Sequence, residues 1–431
     1  MHKNETLINM KLKEIYISNF KGCQDIHLNL DDQLTVIIGA NGAGKSTVLD
    51  AVSIVLSWII ARIRNAKGQG RYISEDEIYN GFSSGSLEAK FDCIPSIVIP
   101  SKAKKGYTKD VAIDLKDLNQ YCESVRAQIM QHQTKTSIPI FVNYGVRRAV
   151  VDIPLRIKKS HIFDLFETYE DSLRGDANFR TFFEWYRNQE DIENENIRYQ
   201  HSLFKDNTPI HLDKELNAVR NAIKSFMPKF SNIRVSRNPL QMKIDKDGLT
   251  LSVNQLSDGE KIYIALVGDL CRRLALANPT LQDPLKGEGI VLIDELDLHL
   301  HPQWQSEIAT KLCKTFPNIQ FIVTTHSPLV ITNIQSSQLR ILSSEQGRIV
   351  VTNSENGYAL PVSIILKDIM GISNELPANI EKLLDTVYQK IQDGDIENAQ
   401  IGYNELLKLT PNLPDLVKIR KYIDIKSRKS K

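Results

Sequence analysis

The stretch Gly39-Ala40-Asn41-Gly42-Ala43-Gly44-Lys45-Ser46-Thr47 satisfies G-x-x-x-x-G-K-[ST]. It lies between the apolar run Leu34-Thr35-Val36-Ile37-Ile38 and an apolar-periodic segment that starts at Val48. Strand, glycine turn and helix in that order restrict the chain to an α/β fold in which a strand hands a loop to a helix N-terminus. Glycines let the backbone curl so that successive N–H groups face inward at a phosphate chain. The helix N-terminus adds partial positive charge, Lys45 can reach β- and γ-phosphates, and the Ser46 hydroxyl can ligate Mg²⁺. Gly39, Asn41, Gly42, Gly44, Lys45, Ser46 and Thr47 are therefore the expected nucleotide-binding residues, with a nucleoside triphosphate and Mg²⁺ as the expected ligands.

A chain of 431 residues has room for two to three domains and a large core. A net charge of +2 excludes a globally basic coat, so nucleic acid must be met through a local patch or a partner. Arg147, Arg148, Arg156, Lys158 and Lys159 form the best local basic run, and a solvated face explains them equally well. The cysteines (Cys23, Cys93, Cys122, Cys271, Cys313) are scattered without a C-x-x-C pair, which argues against zinc knuckles and a disulfide framework and for a reducing compartment. The N-terminus lacks a signal peptide's basic and apolar blocks, and the longest apolar stretch, 51–63, is interrupted and short for a bilayer. A cytoplasmic location without a membrane partner is expected.

Strand alternation covers 11–20 and 26–30, joined by the turn Asn19-Phe20-Lys21-Gly22. Val48, Leu49, Val52, Val55, Leu56, Ile59, Ile60 and Ile63 recur at helical spacing, so the helix after the glycine loop is long. Strand patterns follow over 87–93, 97–99 and 111–113, then a helix over about 115–133 and a buried-type strand over 138–142. From 158 to 229 aromatics and charges alternate at helical spacing with no strand pattern. Strands resume at 233–235, and Met242 and Ile244 pair with Leu249 and Leu251 across Asp247-Gly248, a hairpin signal. A strand over 290–293, a helix over about 303–313, a strand over 319–323 and a hairpin over 339–351 complete the α/β part. Beyond 353, Ile380, Leu383, Leu384, Val387 and Ile391 mark one amphipathic helix. Ala399, Tyr403, Leu406 and Leu407 mark a second, and Leu416, Ile419 and Ile423 a third. The basic end, 426–431, reads as solvated. The expected domains are an N-terminal lobe with the glycine loop (1–157), a helical insertion (158–230), a C-terminal lobe (231–352) and an all-helical extension (353–431).

Ile290-Val291-Leu292-Ile293-Asp294-Glu295 places two acids at a strand's C-terminal end, where an open α/β sheet binds ligands. Asp294 suits an outer ligand of the Mg²⁺ that Ser46 touches, and Glu295 suits a general base that orients water. Leu256-Ser257-Asp258-Gly259-Glu260-Lys261 precedes an apolar-periodic helix, and Ser257 with Glu260 can form a capping box. Such a helix start is also an anion site. His299 and His301 form an H-x-H pair without further ligands nearby, so a metal site is not expected there.

The segment Leu256–Lys261 resembles the signature motif of ABC-type ATPases, L-S-G-G-Q and its variants. Asp258 replaces the first signature glycine, as is common in SMC-like and RecF-like members. The resemblance extends to His326 in Thr324-Thr325-His326-Ser327-Pro328, placed like the switch histidine, and to Asp297, placed like the D-loop aspartate. It implies an ABC-type P-loop head with a mixed central sheet. It also implies a split site, in which one subunit's phosphate loop faces Ser257, Asp258, Gly259 and Glu260 of another, so that hydrolysis needs a dimer or higher assembly. The pattern E-x-D-x-H-x-H-P, which runs on from Glu295, is similar to a feature of stand-alone SMC-like ATPases of OLD-type and Septu-type defence systems. The family's Mg²⁺-sensing Gln has no counterpart in Tyr144-Gly145-Val146-Arg147-Arg148, and that role stays unassigned.

A helical insertion and a helical tail do not suit a simple transport subunit. An OLD-type nuclease needs an acid and a D-x-D pair on strands after His326, whereas Asp393-Gly394-Asp395 sits between helices. The whole-chain pattern most resembles the PtuA ATPases of Septu-type and retron-associated anti-phage defence. That resemblance implies a separate HNH nuclease partner (PtuB-like), nucleic acid met through the complex, and slow or gated ATP turnover. The competing reading is a RecF- or SMC-like repair ATPase acting directly on DNA.

Overall fold

The computed structural model describes residues 10–101, 112–132, 136–146, 163–203, 213–345, 348–353, 362–366, 370 and 376–429. The chain divides into two units, residues 1–360 and 361–431.

In the first unit the strands β1 (Leu12–Phe20), β2 (Cys23–Asn29) and β3 (Leu34–Gly39) lead into α1 (Lys45–Arg64). β4 (Ser86–Phe91), β5 (Ile97–Pro100), α2 (Lys116–His132) and β6 (Ile140–Tyr144) follow. α3 (Phe179–Leu203) and α4 (Lys214–Phe226) precede the meander β7 (Phe230–Arg237), β8 (Leu240–Lys246) and β9 (Leu249–Ser252). Then come α5 (Asp258–Ala277), β10 (Gly289–Ile293), α6 (Pro302–Thr315), β11 (Ile319–Thr324), α7 (Pro328–Ile331), β12 (Leu339–Glu345) and β13 (Arg348–Asn353). The main sheet has the order β13-β12-β3-β11-β10-β6, parallel except for β13. A second, antiparallel sheet has the order β2-β1-β4-β5.

β3, β10 and β11 are buried along nearly their whole length, as strands covered on both faces must be. α1 touches strands of both sheets and is apolar nearly all round, so Val48, Val52, Ile59 and Ile63 are all fully buried. By length and composition it is the described helix that could cross a bilayer, and 67% of its most apolar window is buried inside this fold. Register sets the edge that matters. Ile293 pairs with Val323 and Tyr144, and Thr324 pairs with Ile37, so the loops after β3, β6, β10 and β11 leave the sheet at one edge.

Two expected strands differ. β6 starts at Ile140 rather than 138, because Pro139 has no N–H to give a ladder, and the Ile138 N–H goes to the Ala277 carbonyl instead. The strand expected at 111–113 is absent from its described part: Ala112 and Ile113 are irregular, and Asp114 forms an isolated bridge with Val98 of β5. Val111 lies outside the described residues, as does the basic run Arg147, Arg148, Arg156, Lys158 and Lys159.

The aromatics of 163–186 face inward. Trp185 and Tyr186 are fully buried, and the Tyr186 hydroxyl donates to the Ile233 carbonyl of β7 at 2.8 Å. Phe182 packs on Gly268 of α5 so closely that a Cβ there would fall 2.7 Å from its ring. Asp269, on the same helix, is completely buried and accepts from Arg272 at 2.9 Å, Arg273 at 2.8 Å and the Tyr144 hydroxyl at 2.9 Å. Burial pushes the Asp269 pKa up, but the Arg273 and Arg272 guanidiniums outweigh it and hold the carboxyl below its ordinary value of 3.8.

The second unit begins with the single turn α8 (Val362–Ile364), followed by α9 (Ala378–Asp393), α10 (Ile396–Leu409) and α11 (Asp415–Lys429). Ile380, Val387, Ile391, Ala399, Leu406, Leu416, Ile419 and Ile423 form the core of the last three. Gly394 ends α9 in the left-handed region, and Gly402 lets α10 approach Val387, whose Cγ2 would lie 2.5 Å from an added Cβ. Leu407, expected inside, is 41% exposed.

Asp269→Ala would leave two guanidiniums buried without their carboxylate. A loss of about 3–5 kcal/mol is expected in denaturant unfolding of the first unit at neutral pH. Because the folded-state pKa lies below the unfolded one, the wild type's advantage is fully present above pH 3.8 and fades as pH falls below that value. An equal unfolding midpoint for the two chains at pH 7 would contradict this.

Candidate functional site

Gly42 and Gly44 take left-handed φ of 80° and 88°, bending the loop after β3 around an open centre. Gly44 is the N-cap of α1 and offers no side-chain acceptor, so no side chain caps the first turn of that helix. Lys45 is nearly buried and folds back, donating from Nζ to the carbonyls of Gly39 at 2.9 Å and Ala40 at 3.0 Å. Burial lowers the Lys45 pKa, and Asp294, Glu295 and Asp297 oppose that only in part.

Across the sheet edge, Ser46 Oγ donates to Asp294 Oδ2 at 2.8 Å. The other carboxylate oxygen of Asp294 accepts from Thr324 Oγ1 at 2.5 Å, and the Asp294 N–H goes to the Tyr144 carbonyl at 2.8 Å. Glu295 follows with a left-handed φ of 50°. Asp297 accepts from Thr325 Oγ1 at 2.5 Å and from the His326 N–H at 3.3 Å, which joins the acidic turn to the segment after β11.

The structure brings Asn41, Gly42, Gly44, Lys45, Ser46, Thr47, Asp294, Glu295 and His326 around one cavity of about 270 Å³, with Gly22 and Ile349 completing its wall. Gly39 lies just behind it, holding Lys45 by its carbonyl. Asp297 is one step removed, behind His326. Ser46 and Asp294 are hard oxygen donors side by side, a pair that fits Mg²⁺ with the remaining positions left to phosphate and water.

Ser257, Asp258, Gly259 and Glu260 do not line that cavity. They start α5, where Ser257 is the N-cap and Glu260 closes a capping box. Glu260 Oε2 accepts the Ser257 N–H at 2.9 Å, and Oε1 is paired with Lys246 of β8 at 2.7 Å. Burial would raise the Glu260 pKa, but the Lys246 ammonium and the hydrogen bonds from Ser257 together outweigh it and hold the carboxyl below its ordinary value. A Cβ on Gly259 would fall 2.6 Å from the His299 carbonyl, so the helix start rests on the backbone that follows Asp297. His301 caps α6, its Nδ1 accepting the Gln303 N–H at 3.3 Å.

The profile described as AAA ATPase domain matches residues 10–331. The chain belongs to the AAA ATPase domain family. It is 33% identical to the retron Ec83 probable ATPase of Escherichia coli, with 78% of this chain and 72% of that protein aligned. The retron Vc95 probable ATPase of Vibrio cholerae serotype O1 biovar El Tor is 32% identical over 78% of this chain and 74% of its own. Septu protein PtuA of Bacillus thuringiensis is 25% identical over 94% of this chain and 95% of its own length. The protein is thus an ATPase of the kind found in retron and Septu systems, and the resemblance drawn from its motifs holds.

Sequence reasoning missed Thr324, Gly22 and Ile349. Thr324 had a weak signal, standing two residues before His326 at a strand end. Gly22 lies in the β1–β2 turn and Ile349 on β13, and tertiary folding alone carries them to the ATPase's cavity.

Gly39 pairs with Leu342 of β12, and a Cβ there would sit 2.3 Å from the Leu342 carbonyl oxygen. Gly39→Ala must therefore displace the loop that holds Lys45. ATP affinity is expected to fall at least about tenfold, or ~1.4 kcal/mol. Calorimetric titration of a chain whose circular dichroism is unchanged measures this, and wild-type affinity would refute it.

Proposed function

We propose that this ATPase is a nucleotide-gated switch that assembles head to tail and governs a separate HNH nuclease in anti-phage defence. The observation that carries the reading is a cavity with a complete phosphate half and no signature half. Lys45, Ser46, Asp294, Glu295 and His326 surround it, while Ser257 caps α5 outside it. A second subunit's α5 N-terminus, with its partial positive charge, would supply the missing wall. Similarity to proteins named Septu protein PtuA and retron probable ATPases supports the defence role, and the nuclease partner is what the resemblance to Septu-type ATPases implies.

Chemically, each residue has a defined task. Lys45 exchanges its two loop carbonyls for the β- and γ-phosphate oxygens of ATP. Bound Mg²⁺, held through Ser46 and Asp294, would neutralise phosphate charge. Glu295 orients water and takes its proton, and His326 contacts the γ-phosphate from the β11 side. Turnover is slow or gated, because Asp297 and the α5 start must be set by assembly. The chain is read as an ATPase and not itself a nuclease. Asp395 of Asp393-Gly394-Asp395 is the N-cap of α10, accepting the Asn398 N–H, which suits a helix turn rather than a metal centre. The C-terminal helices are read as a docking element for the nuclease, and cytoplasmic action is proposed.

Glu295→Gln should reduce hydrolysis by about 10²–10⁴-fold while ATP binding persists. With ATP it should accumulate as a dimer or larger species in light scattering, and the added change Ser257→Arg should restore monomers. A monomeric Glu295→Gln chain saturated with ATP would sink the split-site reading. Separately, a chain ending at residue 374 should lose co-purification with a co-expressed PtuB-like HNH nuclease that the whole chain retains. Retained co-purification would end the docking proposal.

A further inference from the structure

We propose that Thr324 is a positioning residue for ATP hydrolysis, one hydroxyl setting the geometry of both acids at the end of β10. The inference rests on the reading of Ser46, Asp294 and Glu295 as the nucleotide site and adds to it a buried residue that does not line the cavity.

Thr324 is the last residue of β11 and is completely buried. Its Oγ1 lies 2.5 Å from Asp294 Oδ1 and 2.7 Å from the Glu295 backbone nitrogen. The roles are forced. An ionised carboxylate can only accept and an amide N–H can only donate, so the hydroxyl gives its hydrogen to Asp294 and a lone pair to Glu295. No rotation of the hydroxyl serves both in reverse. The backbone carbonyl of the same residue accepts the Leu296 N–H at 2.8 Å.

Those two amides bracket Glu295. The N–H of residue 295 fixes the plane on its φ side and that of residue 296 the plane on its ψ side. Glu295 needs such restraint, because its φ of 50° is a left-handed conformation unfavourable to a non-glycine residue. Strain of this kind persists only where neighbours over-determine it. Thr324 grips both peptide planes from one side, while the Tyr144 carbonyl holds the Asp294 N–H from the other. The direction of the Glu295 side chain into the cavity follows from that backbone.

Asp294 is set by the same contact. With Oδ1 on Thr324, Oδ2 is left facing Ser46 Oγ at 2.8 Å, so the carboxylate cannot rotate away from the metal-fitting pair. A β-branched residue suits the task, since its χ1 is stiff and the hydroxyl direction is set by the strand. Valine would keep shape and burial but lose the donor and the acceptor together. Serine would keep the hydroxyl and lose the methyl that stiffens it.

The test uses the full-length chain. Thr324→Val should lower kcat about 10–100-fold, the usual loss on removing an outer-shell partner, with ATP affinity within about threefold of wild type. Thr324→Ser should recover most of that loss. In a Glu295→Gln background, where turnover does not interfere, Mn²⁺ binding in the presence of ATP gives a second readout by electron paramagnetic resonance. Thr324→Val there should raise the half-saturating Mn²⁺ concentration about tenfold. If Thr324→Val does not accumulate as folded protein, Thr324→Ala carries the same expectations. Unchanged kcat together with unchanged Mn²⁺ half-saturation would overturn the proposal. So would equal losses in the valine and serine variants accompanied by a matching fall in ATP affinity, the mark of a merely structural residue. Failure of the underlying site reading shows differently, as unaltered ATP affinity in Lys45→Ala.

Discussion

The hydrogen bond from Ser46 to Asp294 ties together residues 248 positions apart and fixes the relation of two loops. Everything around it is arranged to keep that distance. β3 brings the glycine loop, β10 brings the acids, and β11 lies between them in strict parallel register. A slip of one residue in either pairing would turn Thr324 to the opposite face and leave both acids without their support. The completely buried strands resist such slips, since every residue of β10 and β11 is inside. Burial of the sheet thus protects a geometry that lies at its edge.

A second line of support runs through the core. Asp269 sits on the helix that Ser257 begins, and it grips Tyr144, whose carbonyl takes the Asp294 N–H. The α5 helix and the acidic turn are therefore joined by two hydrogen bonds through Tyr144. Arg272 and Arg273 keep the Asp269 carboxylate charged in a place where burial alone would neutralise it. Arg273 also donates to the carbonyls of Thr168 at 2.6 Å and Glu170 at 3.0 Å, bringing the segment before α3 into the same network. A buried ionic network of this kind specifies an arrangement at the expense of stability. Here the arrangement it specifies is the position of β6 and α5 relative to the acids.

Much of this was legible in the sequence because it is encoded locally. The glycine loop, the capping box of Ser257 and Glu260, the two acids after an apolar run and the Asp247-Gly248 turn are each short patterns with one physical meaning. Asp247 and Gly248 indeed take left-handed φ of 47° and 82°. What could not be read depends on which surfaces meet. The spacing of Asp269, Arg272 and Arg273 is that of ordinary exposed helix pairs, and nothing local says that Tyr144 meets Asp269 or that Phe182 packs on Gly268 beside it. The aromatics of α3 mark a helix without naming its partner. Thr324 reads as one more β-branched residue in a strand, and its hydroxyl gains a role only when β10 lies alongside. Pro139 was a visible reason to start β6 later than apolarity suggested.

The donors of the site are already satisfied within the chain. Lys45 satisfies itself on two loop carbonyls, so ATP must displace existing bonds as well as meet a charge. The net return from that exchange is small for each bond, because one satisfied donor becomes another. The α5 start is likewise self-satisfied: Ser257 and Glu260 exchange capping bonds, and Lys246 neutralises the carboxylate that would otherwise repel a γ-phosphate. Asp258 is exposed at that helix end, with 86% of its side chain accessible, and Lys261 Nζ pairs with its Oδ1 at 3.3 Å. A phosphate approaching Ser257 would meet a carboxylate already offset by a neighbouring ammonium, so the helix start would rely on its own backbone N–H groups to attract an anion.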